Sequence, residues 1–464
     1  MEQAMRPIGR LSSLSLAAAE NQNTVAQLTA IKKWRQRADA APPAINVGLV
    51  QEPSSSLYDL AYERFCFDFV KPWPGSLSRL PRLLSETTSD SCLRSISTAI
   101  FYANFHGRCY SLDAKEASAI HYGQALQKLT RVMTDPNAIQ QSEILMVIFL
   151  LSLYEMFTSD SRDGSWIAHM RGTQSVIAQR DISSLQDQGH YLASLCIHLA
   201  VYYVSERRLP PPHLYQWVQS TSFPFDRKGD LVYIMLKTAS ICFKLNQRCG
   251  LHRTGYSDSL EEDLALLDQA LALDSDFEFW TSNLPPKWKQ TGMTPISLTG
   301  RPDWIRDLFA SPGAPQYTYR YTTRLAASDW NMCRATRIRL HIQILEFLST
   351  CSYPVSAAAV LEKDSLDKLI LFTDEIAATI PFALDISPNG GSDLASSNMI
   401  PGLWAYMMLW STQSSLACLQ HRFRWHRDTI QRADWFRQML VFLRDATGMA
   451  KVDVFLQDNQ LETF

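Results

Sequence analysis

The sequence predicts an all-α protein, a single large multi-helix domain over residues 57–464 that follows a poorly ordered segment, residues 1–56. Three observations predict it. Apolar residues recur at helical spacing through most of the chain. Runs that alternate at period two are scarce, and there is neither a βαβ rhythm nor a repeat of fixed period. Proline- and glycine-rich breaks separate the periodic stretches at helix-length intervals.

Taken in order, Pro42, Pro43, Pro53 and Ser54–Ser56 interrupt any pattern near the start, with a short helix expected around 24–37. Order is expected to begin near Leu57. Tyr122, Ala125, Leu126, Leu129 and Met133 share one face, and Gln124, Gln127, Lys128 and Arg131 take the other, which describes an amphipathic helix. Asp135-Pro136-Asn137 ends it, because proline disfavours a helical residue before it. Ser142 is expected to cap the next helix, which is apolar nearly all round and therefore belongs at the centre of the fold. Trp166, Met170, Thr173 and Ile177 mark another helix. Further helices are predicted over residues 189–206, 227–248, 258–281, 317–349, 357–380, 401–424 and 430–448. Pro210-Pro211-Pro212, Ser282 to Pro286 and Ser387 to Gly391 supply breaks.

Composition narrows the function classes. Of 464 residues, 46% are hydrophobic and 19% charged, a globular balance. The 44 basic and 46 acidic side chains leave a net charge of -2, which argues against a domain built mainly to hold nucleic acid. The nine cysteines include no C-x-x-C pair and mostly sit in apolar stretches, as expected of reduced, buried thiols. The segment after Arg6 and Arg10 is too interrupted for a signal peptide, and Glu2 and Glu20 count against a transit peptide. The strongest apolar run, Ile144 to Phe157, is short for a membrane span. No cofactor and no metal site is expected, and no catalytic residue is assigned.

The motifs of phosphate loops, dinucleotide turns, zinc proteases and serine hydrolases are absent. Glu261, Glu262, Asp263, Asp268, Asp274 and Asp276 do not make one tight cluster and read as a solvated helix face. Glu155 ends an apolar helix and needs a partner. Arg171 is the candidate, in a structural ion pair fixing two helices, the sharper alternative being Glu155 as a general acid or a ligand contact. Gly172 is expected to allow close helix approach. His169 reads as a hydrogen-bonded core histidine that could also titrate. Trp330, Arg334, Arg337 and His341 fall on one helical face, suited to structural ion pairing or to gripping a carboxylate ligand. The basic groups at Lys32 to Arg37 and at His421 to Arg427 read as solvated helix ends, the sharper alternatives being an import signal or a weak phosphate contact for the first and an acidic partner for the second.

Three blocks carry a family resemblance. The first joins Ile144 to Phe157, ending in Tyr154-Glu155, to His169-Met170-Arg171-Gly172-Thr173. The second is Trp330-Asn331 with Arg334, Arg337 and Ile338; the third spans Ile380-Pro381-Phe382, Pro401-Gly402-Leu403-Trp404 and Gly448-Met449. Together they resemble the helical regulatory domain of fungal zinc-cluster transcription factors. Thr173 and Arg180-Asp181 stand where that pattern has alanine and Arg-Gly. No cysteine precedes Cys66, so the resemblance implies a regulatory fold without the six-cysteine DNA-reading head. It implies a transcription-regulator-like protein of the nucleus, controlling a secondary-metabolite gene cluster through protein contacts or ligand sensing. A protein partner, a homodimer and a small hydrophobic ligand stay open, with no direct nucleic-acid binding and no membrane. The alternative is a cytoplasmic enzyme on the same scaffold, cyclising or isomerising a small hydrophobic metabolite in an apolar pocket.

Overall fold

The computed structural model describes residues 56–72, 76–135, 138–158, 165–180, 189–220, 228–254, 260–351, 353–385, 400–421 and 427–461. The short helix expected around 24–37, the poor order expected over 1–56 (Ser56 apart) and the basic group at 32–37 lie outside these residues, as do 422–426.

Local capping sets where the helices begin. Ser56 and Asp59 exchange side-chain and backbone hydrogen bonds to start α1 (Leu57–Phe65). The chain then widens into a π-helical turn, Cys66–Val70. After α2 (Leu80–Glu86), Ser91 caps α3 (Cys92–Cys109) and Ser111 caps α4 (Leu112–Val132). Only Tyr110 and Ser111 join α3 to α4, so the two pack along each other as a hairpin.

The apolar helix α5 (Ser142–Thr158) is buried without interruption from Ile144 through Phe157, as its all-round hydrophobicity requires. It packs against α3, α6 (Ser165–Ala178) and α7 (Gly189–Ser205). Next come α8 (Pro212–Ser220), α9 (Lys228–Arg253) and α10 (Leu260–Ser282). A hairpin of β1 (Gln290–Pro295) and β2 (Tyr317–Tyr321) follows, with α11 (Asp303–Phe309) between its strands. The strands are antiparallel, Met293 facing Tyr319, with an irregularity between Gln290 and Gly292.

Thr323 caps α12 (Arg324–Leu348), which is almost wholly buried and touches α9, α10, α13 (Val355–Ala383) and α14 (Gly402–Gln420). Last come α15 (Arg427–Thr447) and α16 (Lys451–Leu461), the latter packed on α5 and α14. The described residues from Ser56 onward group as one compact unit around a continuous core.

The all-α class is right, with three local differences. The helix predicted from residue 317 begins at Arg324, because Tyr317, Tyr319 and Tyr321 lie on a strand instead. Helices α1, α2, α3, α8, α11 and α16 and strand β1 carried no specific prediction. Gly172 is not a close-approach site: it is exposed, and a Cβ there would meet nothing within 4 Å. That role falls to Gly107 in α3 and Gly448 after α15. A Cβ on Gly107 would come within 2.6 Å of the Gly448 carbonyl oxygen, and Gly448 has φ +73.

Asp68, in the π-helical turn, ties distant parts together. Its fully buried carboxylate accepts from Arg64 at 2.8 and 3.0 Å, Arg108 at 2.6 Å, Asn104 at 3.0 Å and the Gly402 backbone N–H at 3.0 Å. Arg108 also donates to the carbonyls of Ile400 and Ala446. One carboxylate thereby fastens α1, α3, the start of α14 and the end of α15.

Candidate functional site

Helix α12 places the predicted arginine stripe in the core, where it serves the scaffold. Arg337 holds Asp274 of α10 through Nε at 2.6 Å and Nη2 at 3.0 Å, and reaches Glu278 at 2.9 Å. His341 Nε2 lies 3.2 Å from the same carboxylate, off hydrogen-bond geometry, and Lys368 Nζ donates to it at 3.0 Å. Burial works against the Asp274 charge, but His341 and Arg337 win and hold its carboxyl well below the usual range. Arg334 donates through Nε to Glu375 and through Nη1 to Tyr321, Asn331 and Thr379, with its guanidinium 5.1 Å from the Trp330 ring centroid. The structural ion-pair reading of this stripe therefore holds.

The acidic segment of α10 departs from its predicted solvated face at two positions. Asp274 and Asp263 are both 3% exposed; Asp263 is met by Arg248 Nε at 2.7 Å and by His252 Nε2 at 2.8 Å. An isolated carboxylate could not be buried this deeply, and each has cations on the facing helices instead.

Glu155 is buried as expected, but with other partners than Arg171. The Tyr122 hydroxyl donates to Glu155 Oε1 at 2.8 Å and lies 3.1 Å from His169 Nε2, which is 3.4 Å from Oε1. Arg171 points from the outer face of α6 and is exposed. His169 is thus a hydrogen-bonded, half-buried histidine, two residues before the arginine and on the other face of α6. His421 pairs with Glu346 at 3.2 Å, and Glu346 in turn with Arg207 at 3.0 Å.

The feature that the sequence did not single out is a cavity of about 450 Å³ among α5, α7, α12, α14 and α16. Helix α7 presents Ser194, His198, Val201 and Ser205 to it, and α14 presents Tyr406, Trp410, Gln413 and Ala417. Both sets fall at i, i+4, i+7 and i+11, one stripe per helix. Phe69, Phe149, Met156, Met332, Met407 and Phe455 complete a mainly apolar wall.

The polar groups of the wall bond to one another. His198 Nε2 and the Tyr406 hydroxyl are 2.6 Å apart, and Trp410 Nε1 donates to Ser205 Oγ at 2.9 Å. The His198 ring stacks on Phe149, centroids 5.3 Å apart. Lys228 is paired with Asp329, whose carboxyl burial pushes up against the pull of that lysine. Burial pushes His198 down to about 4, so its ring is neutral at physiological pH, and it pushes the Tyr406 phenol up. The histidine lies deep in the protein while part of its surface opens on the cavity. Arg337, a candidate pocket residue on the enzyme reading, is not among the lining residues.

A space of this size with paired polar groups suits an apolar small molecule. Among the described residues, no helix is long and apolar enough to cross a membrane, and no group of three or more histidine, cysteine or carboxylate side chains could hold a metal ion.

No curated protein and no solved structure matches the chain. A family model does match over residues 80–217, from the start of α2 into α8, including the whole of α5, α6 and α7. Those helices contain the first of the three resemblance blocks and one wall of the cavity. Residues 80–217 are thus similar to the fungal specific transcription factor domain, the same kind of domain that the three sequence blocks resemble.

Proposed function

We propose that the protein is a nuclear transcription regulator whose helical domain senses a small apolar ligand and controls genes of secondary metabolism. The single observation that supports ligand sensing is the cavity of about 450 Å³, one wall of which is built by helices of the matched domain. A mainly apolar space of this size is in the range that holds a small ligand. It acts through protein contacts, since the net charge of -2 gives little basis for holding nucleic acid by itself.

The test is chromatin occupancy of the tagged protein in its native host, together with transcript profiling after deletion. Focused promoter peaks and loss of a coherent set of transcripts are expected. Absence of peaks with unchanged transcripts would remove the proposal. Turnover of host metabolites by the purified protein in that case would favour the enzyme alternative. Met407→Trp, which fills the cavity from α14, is expected to keep promoter occupancy and abolish the transcriptional response to the ligand.

A further inference from the structure

The His198–Tyr406 pair in the cavity wall has one proton more than it uses. Burial keeps the histidine neutral, so the pair carries one imidazole N–H and one phenol O–H. The contact between them, Nε2 to hydroxyl at 2.6 Å, uses one of the two. His198 Nδ1 is closed off, even from the cavity, and meets no hydrogen-bond partner. With tyrosine as the donor, the imidazole proton would sit on that closed Nδ1, and orphaned buried N–H groups are rare. The other arrangement leaves only a bare lone pair there. In it Nε2–H donates to the phenol oxygen, and the Tyr406 O–H is left over. Tyr406 lines the cavity, and among the described residues no protein atom accepts that proton.

Packing fixes where the hydroxyl stands. The His198 ring stacks on Phe149, and the Tyr406 ring meets it edge-on, centroids 5.9 Å apart at 76°. Other donors of the wall have protein acceptors. Lys228 meets Asp329, Arg207 meets Glu346 at 3.0 Å, and Trp410 Nε1 donates to Ser205 Oγ at 2.9 Å. Ser205 keeps a proton of its own, but it ends α7 next to Glu206 and Arg207, in polar surroundings.

The rest of the wall suits aromatic rings. Phe149, Trp410 and Phe455 line it together with the sulfurs of Met156, Met332 and Met407. Offset or edge-on rings and thioether–ring contacts each add to simple apolar burial.

We infer that the cavity takes an uncharged aromatic ketone, whose carbonyl oxygen accepts the spare Tyr406 hydroxyl proton while His198 holds that hydroxyl in place. This inference rests on the reading of the cavity as a ligand site.

Titration of the purified full-length chain with 9-fluorenone and with fluorene, the same ring system without the oxygen, tests it in wild type and in Tyr406→Phe. The ratio of fluorenone to fluorene affinity is expected to fall about fivefold in the variant, the factor one neutral hydrogen bond supplies. Taking the ratio cancels any general change of cavity shape. The infrared carbonyl stretch of bound fluorenone, which is clear of the protein's amide band, should lie below its position in hydrocarbon solvent in wild type and return to it in Tyr406→Phe. Should the variant fail to fold, fluorotyrosine in place of Tyr406 is a stronger donor and is expected to lower the stretch further. An unshifted stretch in wild type, one that fluorotyrosine leaves unmoved, or a ratio unchanged in Tyr406→Phe overturns the hydroxyl assignment while the cavity remains a ligand site. A ratio that falls in Ser205→Ala instead overturns it in the same way, by moving the contact to that serine. Binding of neither compound, or binding unaffected by Met407→Trp, overturns the assignment of the cavity itself.

Discussion

Asp274→Asn isolates what the buried ion cluster contributes. The substitution keeps the side chain's shape and removes its charge. Arg337, which reaches the carboxylate at 2.6 and 3.0 Å, would retain only Glu278, and fully buried His341 would lose its anion at 3.2 Å. Breaking one side of a buried pair costs about 3–5 kcal/mol, because the remaining charge stays out of water. Two residues along, Asp276 pairs with Lys237 at 2.7 Å, but with 46% of its side chain exposed. Asp276→Asn should therefore cost less than about 1 kcal/mol. With an unfolding entropy of about 2.1 cal/mol/K per residue over roughly 400 residues, a loss of ~4 kcal/mol lowers Tm by about 5 °C. The sign with pH follows from the depressed Asp274 carboxyl. Its stabilisation is present above the unfolded pKa, about 3.9, and is lost as pH falls toward the folded value, so wild type and Asp274→Asn should converge in acid. Calorimetric melting of wild type and both variants at pH 7 and at decreasing pH measures this. Asp274→Asn melting no lower than Asp276→Asn would refute the reasoning.

The two contrasting glycines give a second test by urea denaturation. Gly448→Ala, at φ +73 against the Gly107 backbone, should cost more than about 2 kcal/mol, whereas exposed Gly172→Ala in α6 should gain up to about 1 kcal/mol. Alkylation of the native protein read by mass spectrometry should label exposed Cys109 first and half-buried Cys351 next. Cys196, Cys242, Cys333 and Cys418, whose thiols burial pushes up to about 12, should stay unlabelled until denaturant is added. Rapid native labelling of those four would contradict the closed core. Glu155→Leu should cost about 1–3 kcal/mol by removing the carboxylate that accepts from the Tyr122 hydroxyl, with no comparable loss in Arg171→Ala.

The sequence made the helices legible because their signal is local. The unbroken burial of Ile144 to Phe157 follows from an apolar run that has no polar face to show to water. Tyr317, Tyr319 and Tyr321 also alternated at period two, but five residues beside a 25-residue helix were absorbed into its pattern. Partners were harder to read than positions. Asp274 looked solvated because its cations come from α12 and α13, more than sixty residues on, and Arg171 looked like the partner of Glu155 because it was near in sequence. The cavity had only a faint trace, the matched polar and aromatic stripes of α7 and α14 inside otherwise apolar helices. A wall assembled from that many segments is a property of packing, which no single window of sequence contains.

The Asp68 node bears on how the protein is made. Its bond to Gly402 spans 334 positions, and the Arg108 bond to Ala446 spans 338. At about 5–20 residues per second, a ribosome needs roughly 20–80 s to deliver the 400 residues that complete this node. Through that interval the aspartate in the π-helical turn has its partners from α1 and α3 but lacks α14. A nascent chain stalled before Gly402 should therefore stay protease-sensitive at α1 and engage chaperones, and release of the last helices should close both ends of the domain in one late step.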